Sequence, residues 1–345
     1  SKVNPGTVTL RCDLTNFKLG LRSEPINLSM NGFDISLRRI SWGRNQRSIE
    51  QHAIAYRHAS IAACLEVKNI LPDEIEQAID CLSNVAALLS IACRSQVSIV
   101  VTRISNQQSG NQKVLIEEPP FTHPRWARPL IPDNEIETFL EAAFQATEDR
   151  IRKVELAYIT DHYLQALATG SAWPMALGIF TAMDTLRSAF YRRDDDEDAQ
   201  SHLYWVVPFE KFQSQKEMID AVIEKLTQFF PRFSNIAANE RDSLRSQIGG
   251  LNRRSYKTQL KWMLEVLGVE FTSQSLQFFI NTRNQLVHEG TPVPPDTTLE
   301  DYHEKAKTAW RDAKNAMDLF ERSLLAFLGY DGAFETFSQG MDEPS

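Results

Sequence analysis

Over the first 70 residues, apolar and polar side chains alternate in TVTLRCDL (7–14), FKLGL (17–21), INLSM (26–30), DISLRRISW (34–42) and AIAYRHASIAACLEV (53–67). A period of two buries one face of a strand and wets the other, so this stretch reads as an antiparallel sheet with Asn31-Gly32 as a hairpin turn. The period then changes. Leu71-Pro72-Asp73 opens a helix, because proline suits a first helical turn, and Ile75, Ile79, Leu82, Ala86 and Leu89 recur at three- and four-residue spacing. That helix should end near Cys93. Gln96–Ile104 and Gln112–Glu118 are rich in Val and Ile and flank Ser109-Gly110-Asn111, which predicts another hairpin.

Between Glu118 and Pro132 five prolines (Pro119, Pro120, Pro124, Pro129, Pro132) interrupt the chain. Proline continues neither a helix nor an interior strand, so a domain boundary is expected there. Beyond it the periodicity predicts helices over 133–168, 174–191, 214–230, 235–248, 255–267, 273–289 and 299–328, with Asp133, Ser214 and Ser273 as N-caps. The expected fold class is α+β: a β-rich N-terminal domain with one packed helix over 1–125, an all-α bundle over 133–328, and a loosely held tail over 329–345. No period of 20 to 50 residues repeats, which argues against a solenoid.

Composition changes this picture little. Of 345 residues 42% are hydrophobic and 24% charged, and Gly and Pro together make 29, which excludes collagen-like or low-complexity character. No apolar run approaches the roughly 20 residues of a membrane helix, and SKVNPGTVTL lacks the layout of a secretory signal. A soluble cytoplasmic protein without a membrane partner is expected, with Ser1 suggesting processing or trimming. Cys12, Cys64, Cys81 and Cys93 form no CxxC pair and read as buried thiols rather than zinc ligands or disulfides. The net charge is −8 but uneven: residues 1–130 hold 15 Lys and Arg against 11 Asp and Glu, and the remaining 215 hold 22 against 34. Contact with a polyanion must therefore be local. The acidic run Asp194–Asp198 lacks the spacing of a calcium loop and reads as a solvated turn.

The chain has no GxSxG elbow, Walker A loop, strand-linked GxGxxG, HExxH or EF-hand loop, so no cofactor or metal is expected. Of seven histidines, His52, His58, His123, His162, His202 and His303 sit in ordinary surface or packing contexts. His288 is different. It ends the helix SQSLQFFINTRNQLVHEG (273–290), whose apolar stripe runs Leu276, Phe279, Ile280, Leu286 and Val287, with Arg283 where the period demands another apolar residue. A guanidinium inside a stripe must be paired or must line a polar cleft. Asn284 and His288, four apart, share the adjoining face, and Gly290 supplies a helix stop. The plain alternative is that Arg283 pairs with an acid such as Asp184 and His288 caps the helix.

The string Arg283-Asn284-Gln285-Leu286-Val287-His288 resembles the Rx4-6H motif of HEPN domains, all-helical modules in which a polar residue often follows the arginine. The layout resembles the ApeA-like HEPN proteins, which set a β-rich region before a HEPN domain and are linked to defence against phage. Residues 79–101 resemble the helix-then-strand passage of their N-terminal regions, and ALGIFTAMDTLRSAF (176–190) resembles the early HEPN helix, with Asp184 as counterpart of its accompanying acid. The resemblance implies a metal-independent endoribonuclease whose product ends are a 2′,3′-cyclic phosphate and a 5′-OH. It also implies a homodimer with a composite cleft. Catalytic roles then fall on Arg283, Asn284 and His288, with Asp184 beside them.

Upstream, Arg241, Arg245, Arg253, Arg254, Lys257 and Lys261 face the single acid Asp242 and are interleaved with Tyr256 and Trp262. Cations hold phosphates and rings stack unpaired bases, so Arg245, Arg253, Arg254, Lys257, Tyr256 and Lys261 are candidate RNA contacts; a solvated helical face is the plain alternative. The expected partners are an RNA substrate, tRNA included, a second copy of the chain, and a phage or host protein trigger at the N-terminal domain. The rival reading is a non-catalytic HEPN module that dimerises while the β domain recognises a protein.

Overall fold

The computed structural model describes residues 6–17, 24–40, 61–106, 109–117, 128–191, 254–289 and 298–337, with 221, 224 and 225. The fold is α+β, with a β-rich N-terminal region followed by helices. Six strands, β1 (Val8–Thr15), β2 (Ile26–Met30), β3 (Phe33–Arg39), β4 (Ile61–Ile70), β5 (Ser98–Asn106) and β6 (Gln112–Ile116), form one antiparallel sheet in the order β2-β3-β4-β1-β5-β6. Asn31 and Gly32, at φ 50° and 77°, close the β2–β3 hairpin, the positive-φ pair that a two-residue turn requires. The expected strand over 17–21 and the first part of that over 53–67 lie outside the described residues, apart from Phe17, which is buried and not in a strand.

Alternation sets the two faces of the sheet. Leu10, Cys12, Leu14, Ile26, Leu28, Ile35, Leu37 and Leu65 are buried in the core. The other face carries a ladder of charges, because Arg11 registers with Glu66 on one side and Arg103 on the other. Asp13, fully buried, accepts from Arg11 Nε at 3.0 Å and from Arg103; Glu66 accepts from Arg38 and lies 3.3 Å from Lys68 Nζ. Both buried acids are thereby paired, as their burial demands. All four cysteines are free, and burial pushes the Cys12 thiol up to about 12.

Helix α1 (Ile75–Cys93) enters through a 3-10 turn at Pro72–Glu74, with the Glu74 carboxylate accepting from Leu71 N–H at 3.1 Å. Against expectation, Pro72–Cys93 is long and apolar enough to cross a membrane by length and composition, the one such helix among the described residues; 56% of its most apolar window is buried inside the protein. Among the described residues, further helices follow from the linker onward: α2 (Ile136–Asp149), α3 (Lys153–Ala168), α4 (Ala172–Tyr191), α5 (Tyr256–Val266) and α6 (Ser273–Glu289). The 29-residue α7 (Leu299–Phe327) comes last. The helix expected over 133–168 is two. Arg150 leaves helical geometry and donates to the Phe327 carbonyl at the end of α7, Ile151 turns inward, and Glu155 accepts from Arg152 N–H to start α3. Asp133 is not an N-cap, since α2 starts after Glu135. Thr272, not Ser273, caps α6, exchanging hydrogen bonds of 3.0 Å with Ser275. The helices expected over 214–230 and 235–248, with Ser214, fall outside the described residues apart from helical positions 221, 224 and 225.

The chain divides into two compact units, Ser1–Leu186 with Asn281–Ser345, and Arg187–Ile280. This division does not follow the boundary expected at 118–132. Residues 118–127 lie outside the described residues, but Leu130 and Ile131 are fully buried and both donate to the Ala92 carbonyl. Nor are residues 329–337 loose. Tyr330 packs edge-on against Phe139 with ring centroids 5.4 Å apart, Phe337 is buried, and Glu335 N–H donates to the Leu130 carbonyl.

One ion pair gathers these segments. Arg94 adopts φ 49° just after α1, a left-handed position that usually takes glycine. Its Nε and Nη2 donate to both Glu321 oxygens at 2.7 and 2.6 Å, Nη1 to the Arg128 carbonyl, and Nη2 also to the Glu335 carbonyl. Tyr163 OH of α3 donates to Glu321 at 2.6 Å, and the guanidinium lies 5.4 Å from the Phe337 ring centroid. Burial pushes the Glu321 carboxyl and the Tyr163 hydroxyl upward, and Arg94 opposes both shifts.

Removing one member strands a buried charge. Glu321→Ala should cost about 3–5 kcal/mol in urea denaturation, whereas Arg94→Met with Glu321→Leu should recover much of it. Additive losses in the double variant would show that the two side chains are not coupled.

Candidate functional site

The helix α6 carries the arginine of the sequence motif, and its stripe behaves as the spacing predicts. Leu276, Phe279, Ile280 and Leu286 are buried, while Asn284 and Gln285 are exposed. Arg283, in the stripe, is saved from desolvation by an acid on α4. Its Nη2 donates to Asp184 Oδ2 at 2.8 Å, with side-chain exposures of 17% and 33%. Its Nη1 donates to Asn284 Oδ1 at 3.3 Å. The guanidinium is thus held by a carboxylate from another helix and by the amide next to it in sequence, which fixes its plane near solvent. His288 is the residue four after Asn284 on the same helix; its side chain, like Val287 and Glu289, lies outside the described residues.

Asp184 reaches this position because α4 lies close on α3. A Cβ at Gly178 would meet the Ala166 Cβ at 2.8 Å and the His162 carbonyl at 3.1 Å, so only glycine permits the approach. Met175, Ile179, Ala182, Met183 and Leu186 bury the inner side of α4, leaving Asp184 on its flank.

The candidate RNA contacts fare unevenly. Arg245 and Arg253 lie outside the described residues, as does Asp194–Asp198. Arg254 lies over the Trp262 ring, 4.5 Å from its centroid, and Lys257 donates to Gln277. Lys261, half-exposed, lies 3.6 Å from Glu265 one turn on. Tyr256 is half-buried, with the Arg187 guanidinium 5.1 Å from its ring centroid. Two of the aromatic faces that would stack bases therefore already carry an arginine.

Sequence reasoning did not anticipate a polar cluster in the Arg187–Ile280 unit. Gln259, nearly buried on α5, accepts from Arg187 and donates to the Arg254 carbonyl at 2.8 Å, and its own carbonyl accepts from Tyr191 OH at 2.7 Å. Burial pushes the Tyr191 hydroxyl up, against Arg187 and Arg254. Among the described residues no group of three or more His, Cys, Asp or Glu side chains is placed to hold a metal ion. No family model, curated protein or solved structure matches the chain.

A partly exposed pair is worth less than a fully buried one. Asp184→Asn and Arg283→Met should each cost about 1–2 kcal/mol, and the double variant should fall short of their sum by about 1 kcal/mol. Thermal melts of the four proteins measure this coupling, and strictly additive losses would dissociate Asp184 from Arg283.

Proposed function

We propose that the protein is a metal-independent endoribonuclease of the HEPN type, similar in layout to the ApeA-like proteins, acting in the cytoplasm in defence against phage. The observation that carries this reading is the Arg283–Asp184 pair: the motif arginine meets the acid of the early helix that the resemblance nominates, with Asn284 bonded to it. In this reading Arg283 donates to the phosphate oxygens as their charge grows, and Asp184 and Asn284 act as positioning residues for its guanidinium. His288 takes the proton of the ribose 2′-OH as the bond from the 2′-oxygen to phosphorus forms. The bond from phosphorus to the 5′-oxygen breaks, and an imidazolium returns a proton to the leaving oxygen. One phosphodiester becomes a cyclic phosphate and a 5′-hydroxyl, with neither water nor metal consumed. Each chain supplies one arginine and one histidine, so the working unit is a homodimer, and the β-sheet region restrains or triggers it through a protein partner.

A second reading has its own observation. An arginine occupied by a carboxylate also serves a purely structural pair, and then the chain is a non-catalytic HEPN module that dimerises while its sheet recognises a protein.

Cleavage of total RNA and tRNA in EDTA, with analysis of the product ends, tests the enzyme reading. Cyclic-phosphate ends are expected from the native chain and none from His288→Ala, whose melting temperature should barely move. Arg283→Lys should keep RNA binding while the cleavage rate falls by orders of magnitude, because lysine lacks the bidentate fork. Unchanged turnover in Arg283→Lys, or activity lost on adding EDTA, would overturn the mechanism. Sedimentation should give about twice the 39.3 kDa chain mass; a fully active monomer would remove the composite cleft.

A further inference from the structure

The two edges of the sheet are finished differently. On β2 the apolar Ile26, Leu28 and Met30 are buried, and the exposed positions are Asn27 and Ser29. Such an edge gives an incoming strand little to pack against. On β6 every residue from Gln112 to Ile116 is exposed, and Val114, Leu115 and Ile116 keep 46%, 39% and 67% of their surface in contact with solvent. Among the described residues no strand pairs with its outer side.

The register fixes which backbone groups face outward. Glu117 N–H donates to the Val100 carbonyl and Asn106 N–H to the Asn111 carbonyl, so Asn111, Lys113, Leu115 and Glu117 direct their backbone groups to β5. Gln112, Val114 and Ile116 then present theirs on the open side. By the same alternation Lys113, Leu115 and Glu117 share one face of the strand. Pro119 and Pro120 follow and carry no N–H, which confines the open ladder to one short stretch.

We propose that a second copy of this chain adds to this edge, β6 against β6, antiparallel about a two-fold axis at Leu115. Val114 of one copy then exchanges hydrogen bonds with Ile116 of the other, Leu115 meets Leu115, and Lys113 stands opposite Glu117 at both ends. The charges select this register. An axis at Val114 sets Lys113 against Leu115, and one at Lys113 sets like charges face to face. Lys113 and Glu117 are both exposed, and neither has an ion-pair partner among the described residues. Because a two-fold contact occupies the same edge in both copies, association through it stops at a pair. The contact lies in the sheet and holds whether or not the chain cleaves RNA.

Charge reversal on the full chain tests it. In sedimentation, Lys113→Glu and Glu117→Lys should each weaken association by about tenfold or more, since either one sets like charges opposite each other at both ends. An equimolar mixture of the two variants should associate as the native chain does, because each then meets its opposite. Leu115→Cys should form a disulfide-linked pair on mild oxidation, as its two Cα atoms stand about 4.5 Å apart across the axis. Gln112→Cys, whose counterpart is out of reach, should not. All these positions are exposed, so the melting temperatures should stay near that of the native chain. A monomeric native chain overturns the proposal, as does an association that neither reversal weakens or that mixing fails to restore. Cross-linking of Gln112→Cys as readily as Leu115→Cys overturns the register.

Discussion

Arg94 is the point at which the larger compact unit is tied together. In one guanidinium meet the end of α1, the linker at Arg128, the long α7 through Glu321, and the C-terminal segment at Glu335 and Phe337. The left-handed backbone at φ 49° follows from this demand. A glycine there would relieve the conformation at the cost of leaving Glu321 buried and uncompensated, a far larger penalty than the roughly 1–2 kcal/mol of the left-handed residue. Because Tyr163 also donates to Glu321, α3 is drawn into the same network. The end of α1, the helices α3 and α7 and the C-terminal segment are therefore joined by one buried network.

That constraint explains what could be read from the sequence and what could not. The strands around Asn31-Gly32, the Pro72 entry into α1 and the helices α4 to α7 were legible, because each rests on local periodicity and turn chemistry. The break at Arg150–Arg152 was not, because apolar period runs across it and the cause is a carbonyl of α7 that lies 177 positions away in sequence. The packing of residues 329–337 was hidden for the same reason. Gly329 and Gly332 look like the start of a loose end, yet Glu335 and Phe337 are held by partners distant in the chain.

The pattern that marks Arg283 occurs a second time, in α7. Met317, Phe320 and Leu324 form the buried stripe of α7, and Glu321 sits among them as Arg283 sits among Phe279, Ile280 and Leu286. A charge in an apolar stripe predicts an opposite charge elsewhere, though not which one: the resemblance points from Arg283 to Asp184, whereas nothing local links Glu321 to Arg94 across 227 positions.

The two arginine pairs differ in what they leave for chemistry. Arg94 is 1% exposed and its Nε, Nη1 and Nη2 are all engaged within the protein, so no anion can reach it. Arg283 is held by one carboxylate oxygen and one amide, with 17% of its side chain and 33% of that of Asp184 in contact with solvent. In the proposed reading, a phosphate would compete with a partly hydrated carboxylate for a guanidinium whose orientation is already set. Desolvation is nearly complete at Arg94, where the charge joins segments, and incomplete at Arg283, whose side chain keeps contact with solvent. The same type of ion pair thus serves folding when sealed, and at the surface it is the kind that the proposed recognition of phosphate calls for.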